Sequence, residues 1–375
     1  MKILFLQNKG KNFAGVGQVN KLVSEYLVRD GYDVSIVSLR DTVTDNVLDY
    51  DKKIHVETLN TKDIWGSFTY REIISNLKKF KIKSFFTQLN HRLHNNYTMS
   101  QDKKKLQQYI REYNPDYIIN THYELLDMIP KEFLSKTYHE QHTSFDASFS
   151  HPKTRKTLLK YKDKISYIWL SKKTMEAAIK YGFTRSYYIY NAVRFETSST
   201  ADVIKNKKLV TITRISEEKR IDMMIDIVSK IFQNKKYHDW KLEIYGEGPE
   251  LEKLKKKINC KQIKLMGVTN NPEKVLMSSS INLNTSAFEG FSLSILEANE
   301  CGIPTVSFAF GESVDEEIIN HKTGYIAKNQ SDYLEKLEEL MNDDKLLQQM
   351  SNNAKEFNKN FRIKNIIKIW EEILK

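Results

Sequence analysis

Ser286-Ala287-Phe288-Glu289-Gly290-Phe291-Ser292-Leu293-Ser294-Ile295-Leu296-Glu297-Ala298 follows a short apolar run, Ile281 to Asn284, of the kind that ends a buried strand. Leu293, Ile295, Leu296 and Ala298 have the spacing of a packed helix, so the stretch predicts strand, tight loop, helix. Glu289 then falls in the loop and Glu297 two turns into the helix. A helix N-terminus offers unpaired N–H groups and a positive dipole end, which suit a phosphate. Two carboxylates beside it can accept paired hydrogen bonds from sugar or ribose hydroxyls. Without context the same residues also fit a loop acid and a solvated helix acid.

Upstream, Leu209-Val210-Thr211-Ile212-Thr213 reads as a strand, followed by Arg214 and, five positions on, Lys219. A guanidinium fork and an ammonium point charge ahead of a helix, Met223 to Phe232, suit the oxygens of a diphosphate, although a surface pair has the same spacing. Leu242 to Tyr245 predicts a strand running into the glycine turn Gly246-Glu247-Gly248-Pro249, and Ile263 to Met266 another that exits at Gly267-Val268. At the other end of the chain, Lys2 to Leu6 predicts a buried strand. Gly15-Val16-Gly17 opens a helix after it, and Val34 to Leu39 alternates as the next strand, making a βαβ unit with a glycine loop.

The pattern Glu289-Gly-Phe-Ser-Leu-Ser-Ile-Leu-Glu297-Ala, with Cys301-Gly302-Ile303-Pro304-Thr305-Val306 after it, resembles the signature of retaining GT-B glycosyltransferases of family 4, the glycosyl transferases group 1. Gly324-Tyr325-Ile326-Ala327 resembles the family's late glycine strand, and Asn191-Ala192-Val193 its Asn-Gly-Val stretch with Ala in place of Gly. The resemblance implies an α/β chain with two Rossmann-like domains facing across a deep cleft. The expected division is residues 1–195 for acceptor, a linker at 196–207, residues 208–355 for nucleotide sugar, and a C-terminal helix, 356–375, crossing back. It further implies transfer of a hexose from a nucleotide diphosphate sugar, with UDP the expected nucleotide, under retention and without metal or other cofactor.

By the same resemblance Arg214 and Lys219 clamp the diphosphate, helped by Gly290, Phe291, Ser292 and Leu293. Glu297 holds the ribose, Glu289 the sugar hydroxyls, and backbone near Val268 the base. Gly15 and Gly17 line the phosphate and acceptor side. His142, in His139-Glu140-Gln141-His142-Thr143, is the better match to the family's histidine at the reacting centre, with His139 second. His142 and Glu289 are therefore the catalytic candidates. On this reading neither is a firm nucleophile.

The composition bounds the partners. Of 375 residues 59 are Lys or Arg against 48 acids, a net charge of +11, and the excess is concentrated. Residues 71–111 hold ten Lys/Arg, among them Lys78, Lys79, Lys103, Lys104 and Lys105, against Glu72 and Asp102. Such a patch points to an anionic acceptor or membrane surface, where a lysine-rich composition that only aids solubility is the alternative. Residues 70–93 read as one basic helix and Lys103 to Tyr113 as a second. The expected acceptor is a cell-envelope glycan: lipid-linked, capsular or exopolysaccharide, or teichoic acid. A soluble sugar acceptor, or a binding role toward nucleic acid or an anionic surface, are the competing readings, and nucleic acid leaves the Glu pair unexplained. Asp49-Tyr50-Asp51 has the DxD form by which a GT-A enzyme holds a divalent ion, but no further ligands accompany it. Two separated cysteines, Cys260 and Cys301, and no apolar run of about 18 residues predict a cytoplasmic protein, peripheral at most.

Overall fold

The computed structural model describes residues 1–8, 15–40, 48–60 and 82–375. Lys78 and Lys79 lie outside the described residues, as do 9–14 ahead of Gly15. The chain divides into two compact units, residues 1–140 with 156–167, and residues 141–155 with 168–375.

The first sheet contains β1 (Lys2–Gln7), β2 (Asp33–Arg40), β3 (His55–Asn60), β4 (Tyr117–Asn120), β5 (Thr137–Gln141), β6 (Ser166–Trp169) and β7 (Ser186–Tyr188). Its order is β3-β2-β1-β4-β5-β6-β7, and the pairs from β3 through β5 are parallel. Order reverses between β1 and β4. Ligands of open α/β sheets bind beside the carboxyl ends of strands at such a point. The helix Gly15–Arg29 begins beyond the carboxyl end of β1, with Gly17 buried in its first turn.

The two helices expected between 70 and 113 are, over the described residues, one continuous helix, Ile82–Tyr113. Its buried side carries Asn95, Thr98, Asp102, Leu106 and Ile110 at helical spacing. Three of these five are polar, so the apolar period fades along the helix. The strand β7 is short. Ile189 N–H still donates to Trp169 O at 2.9 Å, and Tyr190, Asn191 and Val193 then bond to segments far along the chain.

The second sheet is wholly parallel: β8 (Lys208–Ile212), β9 (Lys241–Tyr245), β10 (Ile263–Gly267), β11 (Ile281–Asn284), β12 (Thr305–Phe308) and β13 (Gly324–Ala327), in the order β10-β9-β8-β11-β12-β13. The helix Ile221–Phe232 buries Ile221, Met224, Ile225, Val228 and Ile231, a 3–4 repeat that lays one face on the sheet. The helix Ile363–Ile373 buries Ile363, Ile366, Ile367 and Trp370 and leaves Lys364 and Lys368 exposed. Its approach is pinned by ionic contacts. Glu300, fully buried, accepts Arg362 Nη2 at 2.7 Å and Asn358 Nδ2 at 2.9 Å, while Lys355 Nζ caps the Glu300 carbonyl at 2.7 Å. The order of this sheet reverses between β8 and β11. The loops leaving those two strands carry the candidate residues.

Candidate functional site

The loop after β8 brings Arg214 to the surface and ends in a 3-10 turn, Glu217–Lys219. Arg220 follows in the left-handed region, with φ of 48°. Its guanidinium donates from Nε to Thr285 O at 2.7 Å and from Nη2 to Ser286 O at 2.6 Å, and lies 5.5 Å from the Phe308 ring centre. Thr285 Oγ1 donates back to Lys219 O at 2.8 Å, and Ala287 N–H donates to Glu218 O at 2.7 Å. These bonds staple the loop after β8 to the loop after β11. As a result Lys219 Nζ lies 2.5 Å from Glu289 Oε1, which also accepts Ser286 Oγ at 2.7 Å. Arg220 is a support of the loop that the sequence reading missed. Next to Lys219 it looks like one more surface cation, and only the fold turns it inward.

Gly290 is fixed by a different constraint. A Cβ there would lie 2.3 Å from His142 O, and both residues belong to the second unit. Only glycine lets these two backbones approach so closely. The structure thus brings His142, Glu289, Gly290 and Lys219 together. His142 stands just beyond β5 and is partly exposed. His139, inside β5, is buried in the first unit, where its Nδ1 is 2.9 Å from Asn120 Nδ2 and its ring meets Tyr167 edge-on.

Glu297 is the fifth residue of the helix Leu293–Glu300 and lies in its second turn. It is 1% exposed and ion-paired with Arg194 Nε through Oε1. The Phe291 and Ser292 backbones are also engaged. Phe291 O accepts Asn191 Nδ2 at 2.9 Å, and Ser292 N–H donates to Glu317 Oε2 at 2.7 Å. Leu293, half-buried, opens the helix. Val268 is half exposed beyond β10, where Gly246 N–H donates to Gly267 O at 2.8 Å. Gly246 and Gly248 leave no room for a side chain against the carbonyls of Thr213 and Ile215, so the glycine turn packs on the Arg214 loop.

Glu317 is fully buried and also accepts Ser313 Oγ at 3.1 Å. Burial raises its carboxyl well above the usual carboxylate range against the lowering effect of the Ser292 N–H, and the Glu289 charge adds to the rise. A raised folded pKa means the native state binds the proton more tightly than the unfolded chain does. The resulting stabilisation is full below the ordinary carboxylate value and is lost as pH climbs toward the folded value. Glu317→Gln, which imitates the protonated acid, should therefore gain melting temperature relative to wild type as pH rises from 5 to 8.5. A difference independent of pH would show that Glu317 is ionised in the native state.

In the first unit, Gly15 and Gly17 occupy the start of their helix at the β1 switch point. Lys103, Lys104 and Lys105 are exposed on the long helix, and Lys105 Nζ donates to Leu59 O at 3.1 Å. Asp49 and Asp51 lie in the loop before β3, where Asp51 Oδ1 accepts Lys53 N–H at 2.9 Å. Among the described residues no group of three or more His, Cys, Asp or Glu is arranged to hold a metal, and no helix is long and apolar enough to cross a membrane.

The switch-point loops and their paired acid and lysine lie within residues 196–357, which match the family model for Glycosyl transferases group 1. Over that span the chain is similar to the group 1 glycosyltransferases. A poly(ribitol-phosphate) alpha-N-acetylglucosaminyltransferase from Staphylococcus aureus is 28% identical to this chain over 224 residues, 57% of the chain and 45% of the relative. The chain thus spans under half the length of that curated relative. An uncharacterized glycosyltransferase from Haemophilus influenzae is 24% identical over 99% of the chain and 98% of its own length. The crystal structure of HepE from Anabaena, solved with UDP and glucose, shares the fold at a TM-score of 0.74 and 17% identity, covering 100% of this chain and 99% of that one. The two parallel Rossmann-like sheets are those of the GT-B fold.

Proposed function

We propose that this glycosyltransferase moves a hexose from a UDP-sugar, with retention and without a metal, to a hydroxyl of a cell-envelope polymer. The observation that carries the reading is the meeting of Lys219 with Glu289 beside the Gly290–His142 approach. It supplies, at one switch point, a cation for a leaving diphosphate and a carboxylate for sugar hydroxyls. Arg214 adds the second cation at the diphosphate. Gly290, Phe291 and the start of the helix at Leu293 face its oxygens, while the Ser292 N–H is committed to Glu317. Glu297 receives the ribose, Val268 stands by the base, and Gly15 and Gly17 line the acceptor side.

In the proposed step the bond from the anomeric carbon to the diphosphate oxygen breaks, and the acceptor oxygen bonds to that carbon on the same face. The acceptor proton passes to the departing phosphate oxygen. Charge on the leaving group is neutralised by Lys219 and Arg214, so the step calls for no metal. Glu289 and His142 orient and stabilise the sugar as its ring gains positive character.

UDP in the HepE complex and the polyol-phosphate acceptor in the name of the S. aureus relative support the donor and acceptor classes. A polyanionic or lipid-linked acceptor also suits the exposed Lys103, Lys104 and Lys105. The test is calorimetric titration against UDP-, GDP-, ADP- and dTDP-sugars in EDTA. Selective binding of a UDP-sugar is expected, and binding that requires manganese would overturn the metal-free reading. Changing Lys103, Lys104 and Lys105 together to Ala should raise KM for a polyol-phosphate acceptor about 10-fold at low salt, with donor hydrolysis intact. Unchanged acceptor kinetics would remove these lysines from the acceptor path.

A further inference from the structure

We infer that Arg194 is a positioning residue that orients the Glu297 carboxylate and so sets the preference for a ribose over a deoxyribose in the donor nucleotide. This rests on the reading above, in which Glu297 receives the ribose hydroxyls.

Glu297 is enclosed, and a carboxylate so enclosed needs a hydrogen-bonded partner. That partner is Arg194, whose Nε–H donates to Oε1. Arg194 is itself set by two ties on its own segment. Val193 N–H donates to Phe361 O at 2.9 Å, and Asn191 Nδ2 to Phe291 O at 2.9 Å. Residues 191–194 are thereby fastened to the stretch that carries both acids, through Phe291, and to the turn at Phe361. The Arg194 side chain keeps 22% of its surface exposed against 1% for Glu297, so the pair opens to solvent at its arginine end.

A planar donor that holds one carboxylate oxygen fixes the direction of the other. Two adjacent ribose hydroxyls are read by such a fixed acceptor, and a 2′-deoxyribose offers it one donor fewer. A guanidinium serving only as a packing counter-ion makes a different prediction. Its loss would weaken binding of both nucleotides in the same proportion.

The experiment titrates the full chain in EDTA with UDP and with 2′-deoxyuridine 5′-diphosphate. Wild type should prefer UDP by about 10-fold or more, the size of one hydrogen bond to a charged group. Arg194→Ala should reduce that preference to about 2-fold, with KM for the donor rising more than kcat falls. Arg194→Lys, which keeps the charge and loses the planar fork, should fold and give an intermediate ratio. It decides the matter alone should the alanine variant not fold. A wild-type ratio retained in a folded variant overturns the role of Arg194 and leaves the donor reading standing. Wild type that binds neither nucleotide overturns the glycosyl-transfer reading, and this assignment with it, before any variant is made.

Discussion

Lys219→Ala is expected to lower kcat/KM for sugar transfer by about 10²–10³-fold, the usual cost of removing one donor aimed at developing charge. In the structure Lys219 Nζ is 2.5 Å from Glu289 Oε1, and both side chains are largely enclosed. The ammonium therefore has two duties in the proposed reaction. It fixes the carboxylate that meets the sugar, and it neutralises the diphosphate as the bond breaks. Glu289 keeps its bond from Ser286 Oγ in the variant, so the loop should hold while the charge is lost. Lys219→Arg should recover only part of the rate, because a flat fork cannot occupy the position of a compact ammonium. Initial rates with a UDP-sugar, with circular dichroism as the check on folding, measure this. Turnover within about 5-fold of wild type would reduce the pair to a loop clip, well short of the 10²–10³-fold loss such a donor carries.

Gly290→Ala should abolish most activity by a steric route. The added Cβ would sit 2.3 Å from His142 O, also close to Leu170, so one of the two backbones must move. Overpacking of this kind costs about 1–3 kcal/mol, and a displacement near 1 Å at a reacting centre costs about 10²-fold in rate. The expected variant is folded, with a lowered melting temperature and at least that loss of turnover. Gly31→Ala supplies the comparison. Gly31 has φ of 88° with open space around it, so strain of about 1 kcal/mol is expected there and no loss of rate. Equal effects at the two glycines would mean that the contact with His142 has no part in catalysis.

The strands around both switch points were legible because parallel buried strands are short and rich in apolar residues, continuously so in Ile3 to Leu6 and with polar residues between them in Leu209 to Ile212 and Ile281 to Asn284. Arg214, Lys219 and Glu289 could be named because their loops directly follow those strands, and Glu297 because it lies in the helix that follows the second loop. Other residues drew no attention, since what defines them is what they touch. Glu317 stands in the acidic run Asp315-Glu316-Glu317, which reads as solvated surface, yet it is buried on the Ser292 N–H. Its neighbour Glu316 caps the helix Lys172–Lys180 by accepting the N–H groups of Lys172 and Lys173, and it also accepts Tyr190 Oη at 2.6 Å. Periodicity describes one element at a time. It carries no information on pairs 100 or more positions apart, such as Arg194 with Glu297. The single long helix was missed for a related reason, since its buried face turns polar at Asn95, Thr98 and Asp102.

The pairing of segment 141–155 with residues 168–375 in one compact unit has a consequence for synthesis on the ribosome. Val193 cannot find Phe361 O, nor Glu300 the Arg362 guanidinium, until residues near 362 have left the exit tunnel. The carbonyl of His142 waits for Gly290 in the same way. Nascent chains halted before about residue 360 should therefore present the second unit incomplete, with the Glu300 carboxylate short of its Arg362 partner and helix surface bare for chaperones to hold. Protease resistance of this unit should arrive late and in one step.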